Sequence, residues 1–137
     1  GRPGRDNSLS GAPDRVLLLA APVPFVGLIA NHCWFLIVRG DTQDRWEVWQ
    51  KRSAGGSAWG YLHRNLLPPF ADVGAGRVRQ LATFCGDEAA DLAERIETSP
   101  SRYPKCDRYF LWPGPNSNTW VAWVLEDAAV MGSKALG

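Results

Sequence analysis

Apolar and polar positions follow strand-like patterns in the first half of the chain and helix-like patterns in the second. Val16 to Ala20 is an unbroken apolar run, the pattern of a short buried strand, and Pro22 and Pro24 then break it. Asn31 to Arg39 is apolar on both faces, which predicts a central strand. Gly40-Asp41-Thr42-Gln43-Asp44 predicts a turn, and Arg45 to Lys51 a returning third strand. Ser53 to Ser57, with Gly55-Gly56, reads as a flexible loop, and Trp59 to Phe70 as irregular chain.

Arg77 to Cys85 is assigned as a further strand because Gly86 ends it and a clearer helix follows. That helix is Asp87 to Thr98. Asp87 caps it, Ala89, Leu92, Ala93 and Ile96 form one apolar stripe, and Ser99-Pro100 stops it. A second helix is predicted from Trp120, Val121, Trp123, Val124, Ala128 and Met131, which recur at helical spacing. The stiff Pro113-Gly114-Pro115 and four good N-cap residues, Asn116 to Thr119, lead into it. Strands first and helices later define an α+β domain with an antiparallel sheet and helices packed on one side. Residues 1–13, rich in Gly, Pro, Arg and Ser, read as a flexible arm, and 14–137 as one domain.

Composition narrows the function classes. A chain of 137 residues with 45% hydrophobic content buries about two thirds of its unfolded surface without staples. Its net charge of +1 gives no basic excess to drive phosphate contacts, so no nucleic-acid partner is expected. Cys33, Cys85 and Cys106 are scattered, without a C-x-x-C pair or a His at ligand spacing; no metal and no cofactor are expected. The longest apolar run, Val16 to Ala30, is too short to span a bilayer, and no signal-peptide cleavage pattern follows it. The sequence opens on Gly1 rather than Met, which leaves open an upstream export segment and an envelope association. Neither compartment nor oligomeric state is fixed by composition. Seven Trp suit a core, a groove or an interface.

Candidate chemistry converges on the start of the last helix. Ser117 can be a nucleophile there, given an adjacent base. His32 can be that base if the last helix packs on its side of the sheet. Closing the hairpin with Val38 opposite Trp46 puts His32 on one face with Trp34, Leu36, Val38, Trp46, Val48 and Gln50. Gln50 then fixes the imidazole tautomer, whereas a one-residue slip substitutes Glu47. The Ser117 N–H and the Asn116 or Asn118 amide can hold an oxyanion. Trp34, Tyr109 and Trp112 are candidates for the cleft, although Trp34 also reads as core. Cys33 should face away from His32, and His63 reads as a surface residue. The simpler alternatives are a structural histidine and an ordinary helix cap.

A resemblance sharpens this picture. His32-Cys33-Trp34, Tyr103-Pro104 and Pro113-Gly114-Pro115-Asn116-Ser117-Asn118-Thr119-Trp120 resemble a family of uncharacterised domains with H-x-W, Y-P and P-G-P-N-S-N-T-F signatures. The likeness runs from Leu28 to Gly137, where Ala135-Leu136-Gly137 resembles the start of the family's A-I-G-K tail. More distantly, Asn116-Ser117-Asn118-Thr119-Trp120 is similar to the N-C-N-T-F of PPPDE peptidases and the N-C-x-x-F of lecithin:retinol acyltransferase-like enzymes. Those have the circularly permuted papain-like fold of NlpC-type peptidases, with a strand His first and a nucleophile at a helix start later. The resemblance implies Ser117 in the nucleophile's place and His32 in the base's. It implies a hydrolase or acyltransferase acting on an amide, ester or thioester, with a small-molecule, peptide or lipid-like acyl substrate. Ser stands where the relatives have Cys, so the alternative is a catalytically silent module holding a peptide, glycan or lipid in the same Trp-rich cleft.

Overall fold

The computed structural model describes residues 11–25, 28–110 and 114–136. It contains six strands and two helices: β1 (Arg15–Phe25), β2 (Leu28–Arg39), β3 (Thr42–Val48), β4 (Ser57–Trp59), β5 (Leu62–Arg64), β6 (Arg79–Cys85), α1 (Gly86–Arg102) and α2 (Ser117–Leu136). The strands form one antiparallel sheet in the order β4-β5-β3-β2-β1-β6. This is the α+β architecture the pattern predicts. The arm lies almost wholly outside the described residues, as does the side-chain packing of Ala128 and Met131.

The two faces of the sheet have different covers. Val16, Leu18, Phe35, Ile37, Trp46 and Val48 pack with Ala89, Leu92, Ala93 and Ile96 of α1 and Trp120, Val121 and Val124 of α2. Trp120 is fully buried and meets the Phe35 ring edge-on, with centroids 5.6 Å apart. The alternate residues, Leu17, Leu19, Ala21, Trp34, Leu36 and Val38, form a second core closed by Val73 and Val78 instead of a helix. Both helices therefore lie on one side.

Three departures from the sequence reading have local causes. β1 runs straight through Pro22 and Pro24. Its pairing with β6 ends at Ala20 and Arg79, so beyond Ala20 it is an edge strand, where a missing N–H costs no ladder bond. α1 likewise continues through Pro100 to Arg102. Pro100 cannot donate to the Ile96 carbonyl, and the Ser99 hydroxyl does so instead, at 2.6 Å. Asp87 sits in the first turn, and the N-cap position belongs to Cys85, which makes no side-chain cap bond.

A fourth departure moves the site. The turn between β2 and β3 is only Gly40-Asp41, with Gly40 at φ +56°. Thr42, Gln43 and Asp44 continue the strand, so Val38 pairs with Gln43 rather than Trp46, a shift of three residues. An odd shift exchanges the faces of β3. Trp46 and Val48 lie on the opposite face from His32, and Arg45 and Glu47 share its face, while Trp49 and Gln50 lie beyond the end of the strand.

Candidate functional site

β3 separates from β2 after the Phe35–Trp46 pair, which leaves the β2 edge around Asn31 and His32 without a strand partner on that side. The start of α2 occupies this gap. The Asn118 side-chain amide donates to the Asn31 carbonyl at 3.2 Å. Between the strand edge and the helix start lies a cavity of about 50 Å³. Val23, Pro24, Ala30, Asn31 and His32 line it from the β1–β2 arm, Trp49 and Gln50 from the end of β3, and Tyr109, Asn116, Ser117 and Asn118 from the last loop and helix. His32 and Ser117 are its buried polar residues, at 4% and 5% exposure.

The helix start is built by Asn116. Its side-chain oxygen accepts from the Asn118 N–H at 3.0 Å and the Thr119 N–H at 3.2 Å, which makes Asn116 the N-cap and Ser117 the first helical residue. The Thr119 hydroxyl closes the turn by accepting from the Asn116 N–H. Among the described residues the Ser117 backbone N–H has no acceptor. It is an orphan donor of the first turn, at the positive end of the helix. The Asn116 side-chain oxygen thus caps the helix, and the Asn118 amide donates to Asn31.

His32 is fixed by charge. Its Nε2 lies 2.6 Å from Glu47 Oε2. Arg45 Nε and Nη2 donate to the two Glu47 oxygens at 2.8 and 2.9 Å, and Arg45 Nη1 donates to the Pro68 and Ala71 carbonyls. Four of the five guanidinium N–H groups are thus used, and the guanidinium carbon sits 3.8 Å from the Trp34 ring centroid. Burial pushes the Glu47 carboxyl up, but the hydrogen bonds from His32 and Arg45 and the adjacent positive charge outweigh it and leave it below its ordinary value. An ionised carboxylate only accepts, so His32 Nε2 carries the proton it donates. Nδ1 is then the basic nitrogen of the neutral ring, and among the described residues it has no hydrogen-bond partner. Trp34 stacks on the His32 ring at 5.6 Å and Trp49 meets it edge-on at 5.0 Å.

The expected site residues are only partly arranged as the sequence reading had them. Ser117, His32, Gln50, Asn116, Asn118 and Tyr109 line one cavity. Gln50 makes no bond to His32; that place is taken by Glu47, for the register reason above. Trp34 supports the back of His32 rather than lining the cavity, and Trp112 falls outside the described residues. The last helix packs on the face opposite His32, contrary to the placement expected for a base on its side of the sheet, and the two residues come together only as linings of the cavity at the open strand edge. Among the described residues no hydrogen bond joins the Ser117 hydroxyl to the imidazole; Ser117 Oγ is 3.5 Å from Asn118 Oδ1. Arg45 and Trp49 are members that the sequence reading did not assign to the site, and Glu47 entered it only as the substitute for Gln50 under a slipped register.

His63 is a correction of a different kind. It is fully buried: Nδ1 lies 2.8 Å from the Tyr61 carbonyl, and Nε2 accepts from the Ala54 N–H at 3.0 Å. It clasps the loop before β4. Cys33 points to the helix side, half-buried, with burial pushing its thiol up, whereas Cys85 is exposed. Among the described residues no group of three or more His, Cys, Asp or Glu is placed to hold a metal ion, and no helix is long and apolar enough to cross a membrane.

The sheet and its one-sided helices define the class: an α+β domain, here with a polar cavity where a strand edge meets the start of a helix. Within that class the chain belongs to the family described as Protein of unknown function (DUF3750), whose model matches residues 14–137. No curated protein and no solved structure matches the chain.

Proposed function

We propose that this domain is a hydrolase or acyltransferase that cleaves an amide, ester or thioester through Ser117 and His32 in a permuted papain-like arrangement. One observation carries the reading: the buried hydroxyl and the imidazole line the same cavity, and an ionised Glu47 already holds the imidazole in the tautomer a base needs. The Ser117–His32 bond itself is unmade, as is common in substrate-free sites where catalytic bonds tighten on binding.

In the first step the Ser117 hydroxyl proton passes to His32 Nδ1 while Oγ bonds to the substrate carbonyl carbon. The carbonyl π pair moves onto oxygen, where the orphan Ser117 N–H meets it. Collapse of that intermediate breaks the bond to the leaving group, which takes the proton from His32. Water, or an acceptor hydroxyl or amine, then gives its proton to His32 and attacks the acyl-serine. The Oγ–carbon bond breaks, and Oγ recovers the proton. Glu47 is a positioning residue in this scheme: it holds the imidazole and stabilises the imidazolium.

The unmade bond favours a second reading, a binding module in which the same N–H and amides hold a small polar group without chemistry. Fluorophosphonate labelling separates the two. The hydrolase reading predicts one adduct on Ser117, lost in Ser117→Ala and His32→Ala and kept in Cys33→Ala. Absence of labelling across several probes, with the protein folded, overturns it in favour of binding.

A further inference from the structure

We infer that the cavity takes a short, uncharged acyl group, of acetyl or carboxamide size, and discriminates against long-chain and carboxylate-bearing acyl groups. This deepens the proposed function and rests on it. Size carries the first part. On this scale one water needs about 10–15 Å³ of cavity. A volume of about 50 Å³ therefore seats roughly three to five non-hydrogen atoms. An acetyl ester or an acetamide is of that size. A longer chain would have to leave over the exposed side chains of Asn31, Gln50 and Asn118, where apolar surface gains little and the amides lose water.

Charge carries the second part. Among the described residues no Asp, Glu, Lys or Arg lines the cavity. Of the cations near the cavity, Arg45 is spent on Glu47 behind His32, and Arg79 donates to the Asn31 side-chain oxygen at 3.2 Å. A carboxylate entering here gives up hydration and finds one backbone N–H and neutral amides in return. A methyl or methylene instead meets Val23 and Ala30, while a carbonyl or N–H finds the amide rim.

The test is a series of 4-nitrophenyl esters, acetate, butyrate, octanoate and hemisuccinate, with the rate of Ser117→Ala subtracted. Acetate is expected to exceed both octanoate and hemisuccinate in kcat/KM by on the order of tenfold or more. Octanoate or hemisuccinate turned over as well as acetate overturns the inference while leaving the hydrolase reading intact. If no ester is cleaved above Ser117→Ala, the hydrolase reading fails and binding decides. Acetamide perturbing the Trp49 indole and Asn118 side-chain resonances, with acetate ion and octanamide weaker, then supports the size and charge selection. No perturbation, or a stronger one by acetate ion, overturns it.

Discussion

His32 Nε2 and Glu47 Oε2 stand 2.6 Å apart on adjacent strands, and both side chains are almost fully removed from solvent. Such a contact is possible only because the two-residue turn at Gly40-Asp41 brings Glu47 onto the face of His32. The pair sits behind the cavity with Arg45 as its counter-charge, so it links the hairpin register directly to the chemistry proposed for the site.

Glu47→Gln should therefore be costly. It removes the partner of a buried guanidinium, a change that destabilises by about 3–5 kcal/mol where a buried pair is broken on one side. Denaturant unfolding checks this, and a change below about 1 kcal/mol would contradict the assigned role of the ion pair. In the wild-type protein the Glu47 contribution has a definite sign. Its folded carboxyl titrates below the ordinary 4.5, so the stabilisation is complete above that value and is lost as pH falls through the folded one.

His63 gives a second pH dependence in a higher window. Burial depresses its titration below the ordinary 6.5, despite the opposing bond to the Tyr61 carbonyl and the charge of Glu47. The unfolded chain takes up the proton first, so stability is fully present above about 6.5 and falls as pH drops through the folded value. A protonated ring also cannot accept from the Ala54 N–H. Base-catalysed hydrogen exchange slows on acidification; at Ala54 it should slow less than that chemistry dictates, as protection is lost, and the difference should vanish in His63→Gln.

Asn116 caps the last helix through its side-chain oxygen. Asn116→Ala should cost about 1 kcal/mol, within a range of roughly 0.5–2, and Asn116→Asp should retain most of that. Thermal unfolding of the two variants checks it. Equal loss in both would remove the cap from the account of how Ser117 is presented.

Ser99→Ala tests how α1 tolerates its proline. The buried Ile96 carbonyl then loses its 2.6 Å donor, a penalty of about 1–3 kcal/mol. The double change with Pro100→Ala should recover part of it by restoring a backbone N–H. No recovery would contradict the compensation described for that turn.

Hydrophobic patterning made the strand-then-helix order, the central position of β2 and the apolar stripe of α1 legible, because each buries one face at a regular spacing. It did not reveal where strands would end. Thr42, Gln43 and Asp44 are polar and read as a turn, yet Asp44 is buried and accepts from the Asn65 side chain, while Asn65 also bonds the Arg45 backbone. Those contacts come from a loop distant in sequence. The site residues with a local signature, Ser117 at a helix start and His32 on a strand, were legible for that reason. Arg45 was not, and Glu47 was reachable only as the alternative to Gln50 in a slipped register, since their place depends on a register fixed three residues from where the polar run suggested. His63 was misread because its ring is satisfied by backbone groups, which leave no trace in side-chain pattern.

The account depends above all on which nitrogen of His32 is free to take a proton from Ser117. Long-range proton–nitrogen correlation of the imidazole, recorded at a pH where the ring is neutral, reads this directly. The prediction is a protonated Nε2 held by Glu47 and a bare Nδ1 that gains a proton once Ser117 carries a phosphonate. A protonated Nδ1 in the free protein, with Nε2 bare, would contradict the proposed chemistry.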